Sequence, residues 1–122
     1  MSKPIIVAID ETQLNSFKKI VDSLDNNLCM IKIGSVSFNA IGREAINYVA
    51  NKGFKIFLDL KFHDIPNTVK KSIQGLISLP ISMITVHTSG GVDMMKAAKK
   101  AVDGSSIKIF GVTALTSLSE EN

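Results

Sequence analysis

Two carboxylates and a lysine lie close together in the stretch Phe57-Leu58-Asp59-Leu60-Lys61-Phe62-His63-Asp64. The residues before them are apolar, so Asp59 and Lys61 end a strand-like run. Residues two apart on a strand leave on the same face, roughly 7 Å apart along the backbone, and can share a salt bridge. Asp64 follows past the strand end, where the Ile65-Pro66 step keeps the chain extended and then opens a helix. An acid and an ammonium group held in place beside a reacting atom stabilise charge that develops there, so the chemistry on offer is electrostatic or proton transfer. A structural ion pair for Asp59 and Lys61, and a helix N-cap for Asp64, are the alternatives that local pattern leaves open.

The same kind of residue closes the other apolar runs. Asp10 ends Val7-Ala8-Ile9-Asp10, Lys32 stands in Ile31-Lys32-Ile33-Gly34, His87 ends the fourth run, and the fifth runs out through Thr113 to Thr116. Alone, Asp10 fits a strand-end Asx turn and Lys32 a snorkelling lysine. Together they imply more, because buried ions are costly unless paired and a structural protein has little reason to aim four charges at one point. His63 and His87 are the two histidines, and the carboxylates are better explained by pairing with lysines, so no metal is expected. Gly90-Gly91 lacks the spacing of a phosphate loop and reads as a turn.

What must position these residues is an alternation of β-branched runs with helical periods, uninterrupted by any linker or charge block. The strand-like runs are Pro4 to Ile9, Leu28 to Ile33, Phe54 to Lys61, Ser82 to His87 and Ser106 to Thr113. Helices are expected over Thr12 to Leu24, Phe38 to Asn51 (with room for a short turn before it), Asn67 to Leu79 and Val92 to Val102. Gly53 has the place of a helix C′ glycine and Pro66 that of a first helical residue. Near-continuous hydrophobicity of the strands implies a parallel sheet in an α/β fold. Periodicity does not separate an open doubly wound sheet from a closed barrel. Polar strand tips favour the parallel (β/α)8 TIM barrel, whose strand C-termini converge on one mouth. Residues 1–122 then form a single domain, supplying about the first four βα units plus strand five.

Composition narrows the function classes. Net charge is +3, but Lys18-Lys19, Lys70-Lys71 and Lys99-Lys100 fall on helix-like faces. There is no tryptophan and one tyrosine, so the stacking platform of single-strand binders is missing and nucleic acid is not an expected partner. No apolar run approaches the ~20 residues that cross a bilayer, so no membrane association and a cytoplasmic location are expected. Cys29, the single cysteine, sits between Leu28 and Met30 and reads as a buried core thiol. The methionines at 83, 94 and 95 read as core filler.

Phe57-Leu58-Asp59-Leu60-Lys61-Phe62-His63-Asp64-Ile65-Pro66-Asn67-Thr68-Val69 closely resembles the Asp-x-Lys-x-x-Asp segment of bacterial orotidine 5′-phosphate decarboxylases, flanking Ile-Pro-Asn-Thr included. Val7-Ala8-Ile9-Asp10, Ile31-Lys32-Ile33-Gly34, Val86-His87 with Gly90-Gly91, and Val112-Thr113-Ala114-Leu115-Thr116-Ser117 match that family's other strand ends in order, so the resemblance spans the chain. The keto-gulonate-phosphate decarboxylases and hexulose-phosphate synthases share Asp-x-Lys-x-x-Asp but use Mg²⁺ held partly by a glutamate on strand two. Lys32 stands on that strand here, and a cation there repels a metal, which favours the metal-free, cofactor-free branch.

The resemblance implies a charge network of Lys32, Asp59, Lys61 and Asp64 around the reacting carbon of orotidine 5′-phosphate. Its substrate-binding set is Asp10, Lys32, Asp64, Ile65, Thr68 and Thr116. Asp10 and Lys32 would hold ribose hydroxyls, and Thr116 would bond the pyrimidine ring. Asp64 and Thr68 would reach the 2′-hydroxyl in a neighbouring subunit's site, which implies a homodimer with shared active sites. Loss of CO₂ leaves a carbanion at C6 that Lys61 would stabilise and then protonate, with Asp59 and Asp64 keeping the lysine charged.

A whole barrel needs eight strands and about 250 residues, and its phosphate site comes from the loops after strands seven and eight. The expectation is therefore an N-terminal half, inactive alone, exposing a sheet face and two edges. A non-catalytic half-barrel that assembles with itself or with a separate C-terminal half is the alternative.

Overall fold

Runs of Ile, Val and Leu fill both faces of a parallel sheet only if something covers each face, and here one face is covered. The computed structural model describes residues 5–113. Five strands, β1 (Ile5–Ile9), β2 (Cys29–Gly34), β3 (Ile56–Phe62), β4 (Met83–His87) and β5 (Lys108–Val112), alternate with the helices α1 (Leu14–Asp22), α2 (Ser35–Ile41), α3 (Arg43–Asn51), α4 (Pro66–Gln74) and α5 (Val92–Ala101). The strands lie side by side in chain order, β1-β2-β3-β4-β5, all parallel. A doubly wound sheet reverses its strand order at a switch point; sequential order is how a barrel grows. The chain supplies the first four βα units and the fifth strand of such a barrel.

Successive crossovers of one hand lay the helices on one face of the sheet. There Ile9, Ile31, Ile33, Ile56, Leu58, Ile84 and Val86 are buried against Phe17 and Val21 of α1, Ile46 and Val49 of α3, Val69 and Ile73 of α4, and Met94 of α5. Each such side chain contributes about 1.5–3 kcal/mol of burial. The opposite face, a barrel's interior, is open: Ile6 is 48% and Phe110 46% exposed. Cys29 is buried as expected, and Met94 lies in the core, whereas Met83 and Met95 are only partly buried.

The element boundaries differ from the sequence reading in one instructive place. The helix expected over Phe38 to Asn51 is two helices, the first beginning at Ser35 directly after β2. Gly42 breaks them with φ +80 and ψ −151, a conformation that essentially only glycine reaches. Gly53, at φ +84, ends α3 in the left-handed manner its position implied. Pro66 is the first residue of α4, as expected.

Candidate functional site

The C-terminal ends of β1, β2 and β3 bring Asp10, Lys32, Asp59 and Lys61 around one cleft of about 180 Å³ on the open face. Its centre is Asp59, 9% exposed, whose Oδ2 receives Lys61 Nζ at 2.8 Å and Lys32 Nζ at 3.5 Å. Its other oxygen, Oδ1, accepts the Thr85 hydroxyl at 2.8 Å. Burial pushes the Asp59 carboxyl up, but hydrogen bonds from Lys61 and Thr85 and the charges of Lys61 and Lys32 outweigh it and hold it below the usual carboxylate range. Asp59 is therefore ionised at neutral pH, and the two ammonium groups are each more than a third open to solvent.

The neighbourhood of Lys61 is not a regular strand. Pairing runs Leu58↔Ile84 and then resumes at Phe62↔Val86, so Asp59, Leu60 and Lys61 together oppose the single residue Thr85. This bulge puts Lys61 at φ +50, the only positive value at a non-glycine residue among those described. A left-handed lysine costs about 1–2 kcal/mol. The expected sharing of a face by Asp59 and Lys61 is thus reached by a kink, not by simple alternation.

Asp10 is exposed at the rim, its Oδ1 beside Gly34. Buried Ser37 sets the path of the chain there: its hydroxyl accepts the Glu11 N–H at 2.8 Å and lies within donating distance of the Ile9 and Glu11 carbonyls. Asp64 stands apart from the charge cluster. Its Oδ1 accepts the adjoining Ile65 N–H at 2.7 Å, and it lines a separate open hollow with His63, Ile65, Pro66, Ser89 and Gly90. Among the described residues no lysine reaches it, and it does not cap α4, whose N-cap is Ile65 without a side-chain bond. Ile65, 65% exposed, and Thr68 lie open on the same side of the fold.

His87 also stays out of the cleft. Its Nδ1 accepts the Ser89 N–H at 3.2 Å and its ring stacks on His63 at 5.4 Å. Among the described residues no three His, Cys, Asp or Glu side chains gather into a metal-ligand set. Thr116 lies outside the described residues, and Thr113 is exposed at the end of β5. Two residues escaped the sequence reading: Thr85 and Ser37, buried hydroxyls flanked in sequence by apolar residues. A threonine within Ile84-Thr85-Val86 was the available signal, but its partner is fixed only by cross-strand register.

A parallel sheet in sequential order, with charged groups gathered at its strand C-termini, defines the class: part of a TIM barrel. Comparison with known proteins narrows it. The family model described as "Orotidine 5'-phosphate decarboxylase / HUMPS family" matches residues 3–122, and the chain belongs to that family. It is 43% identical over 120 residues to orotidine 5′-phosphate decarboxylase of Saccharophagus degradans, covering 97% of this chain and 50% of that protein. The Ehrlichia canis enzyme of the same name is 44% identical, with 98% of this chain and 52% of the relative covered. The crystal structure of orotidine 5′-phosphate decarboxylase from Lactobacillus acidophilus superposes with a TM-score of 0.87 at 38% identity, over 98% of this chain and 57% of that one. The chain spans about half the length of the curated relatives it matches.

Proposed function

We propose that the protein carrying this chain decarboxylates orotidine 5′-phosphate to uridine 5′-phosphate and CO₂ without metal or cofactor. The observation that carries the reading is the buried carboxylate of Asp59 holding two ammonium groups, Lys61 and Lys32, at the mouth of the sheet. When the C6–CO₂ bond breaks, its electron pair stays on C6 as a vinylic carbanion that no ring carbonyl delocalises well. A fixed cation meets that charge only as it forms, which raises turnover rather than mere affinity. Lys61 Nζ then gives a proton to C6. Asp59 holds Lys61 in place, and Asp10 and Lys32 take the ribose hydroxyls.

Asp64, Ile65 and Thr68 serve a partner's site in a homodimer, a role supported by their exposure away from the Asp59 cleft. Thr116 bonds the pyrimidine ring. Lys32, in place of the acidic ligand of the Mg²⁺-dependent branch, favours metal-free chemistry. The site of action is the cytoplasm; among the described residues no helix is long and apolar enough to cross a membrane.

The test is an absorbance assay of the complete barrel with orotidine 5′-phosphate. Turnover is expected, and Lys61→Ala should abolish it while product still binds. Absence of turnover in the unaltered protein overturns the activity; a Lys61→Ala variant within about tenfold of the unaltered rate, ~1.4 kcal/mol in activation barrier, overturns Lys61 as proton donor. The exposure of Ile6 and Phe110 favours a second reading, a non-catalytic half-barrel that pairs with itself or a separate C-terminal half. Intact mass and solution size of the purified protein separate the two.

A further inference from the structure

Three residues of β3 face one residue of β4, and ladders that bulge in this way lose backbone partners where the extra residues sit. Thr85, 2% exposed, fills the gap with its side chain. Its Oγ1 accepts the Lys61 N–H at 3.0 Å and donates to Asp59 Oδ1 at 2.8 Å. The directions are forced, since a backbone N–H only donates and an ionised carboxylate only accepts, so the one hydroxyl proton and one lone pair are both committed. One oxygen of Asp59 is thereby tied to β4, which leaves the other to face Lys61 and Lys32. A backbone held in a sparsely populated conformation persists only where its surroundings fix it, and this hydroxyl is the side-chain contact made to the Lys61 backbone.

We propose that Thr85 is a positioning residue: its hydroxyl fixes the left-handed kink at Lys61 and the rotation of the Asp59 carboxylate together, and so sets where the Lys61 ammonium stands. The inference rests on the decarboxylase reading and adds a residue that never touches substrate. Lysine placement matters because a misplacement of about 1 Å at a reacting centre costs up to about a hundredfold in rate.

Thr85→Val keeps the branched shape that suits a strand and removes only the hydroxyl; Thr85→Ser keeps the hydroxyl. In the complete barrel, Thr85→Val should lower kcat by about tenfold to a hundredfold with KM little changed, and Thr85→Ser should recover most of the loss. In parallel, ¹³C NMR of the Asp59 carboxyl should show it titrating at higher pH in Thr85→Val than in the unaltered protein, because a donor to its ionised form is gone. A valine variant with unaltered kcat overturns the proposal, as does a serine variant as slow as the valine one. Should valine not fold, Thr85→Ala judged against Thr85→Ser decides by the same two measurements. If the unaltered protein turns over no substrate, the decarboxylase reading fails by itself, and the carboxyl titration still decides the clamp: an unshifted Asp59 sinks it, a shifted one supports it.

Discussion

The two faces of the sheet are built from the same five strands yet follow opposite rules. On the helix side, Ile31, Ile33, Ile56 and Leu58 are completely buried and carry no polar atom. On the open side, the residues between them are Met30, Lys32, Phe57 and Asp59, with a charge cluster at one end and exposed Ile6 and Phe110 below it. Period-two alternation within a strand sends one set of side chains to each face. Apolar burial is concentrated on the first face and charge on the second, which tolerates ions because water and neighbouring charges both reach them.

The strongest way to break this comparison lies in two adjacent residues. Leu58→Ala on the covered face should cost about 2–5 kcal/mol in urea unfolding, as truncations in a packed core do. Phe57→Ala, on the open face where the side chain is only half-buried and its ring lies 6.5 Å from the tilted ring of Phe110, should cost clearly less in the 122-residue chain. Equal losses would mean that something in solution covers the open face.

A smaller effect is expected at the cluster itself. Asp59→Asn leaves Lys32 and Lys61 without their counter-charge and should destabilise by about 1–3 kcal/mol, towards the low end because both lysines are partly hydrated. A variant as stable as the unaltered chain would show that the cluster adds nothing to folding. The effect should also depend on pH. Since the Asp59 carboxyl is held below its ordinary value in the folded state, the unfolded chain takes up this proton first as pH falls. Its stabilisation is complete at neutral pH, declines as pH drops through the ordinary carboxylate value, and is gone below the folded one. The gap between the unaltered chain and Asp59→Asn should close over that acid window; a gap constant with pH contradicts it.

The smallest effect is a control outside both faces. The Tyr48 hydroxyl donates to Asp22 on the surface, and this bond holds the phenol above its ordinary value. An ultraviolet titration should find Tyr48 ionising at higher pH than free tyrosine, with Asp22→Asn bringing it back. Neither change should affect the cleft.

The sequence by itself determined the alternation of elements, the parallel sheet and the gathering of Asp10, Lys32, Asp59 and Lys61, because each follows from local period and from the cost of burying a charge alone. It misjudged the helix expected over Phe38 to Asn51, which Gly42 divides in two. The resemblance gave Asp64 to a neighbouring subunit's site, and within this chain the fold sets that residue in a hollow apart from the cluster. The kink at Lys61 and the clamping role of Thr85 were decided only in three dimensions. Both depend on which residue of β4 lies opposite which residue of β3, and register is a property of the paired strands that neither strand carries alone.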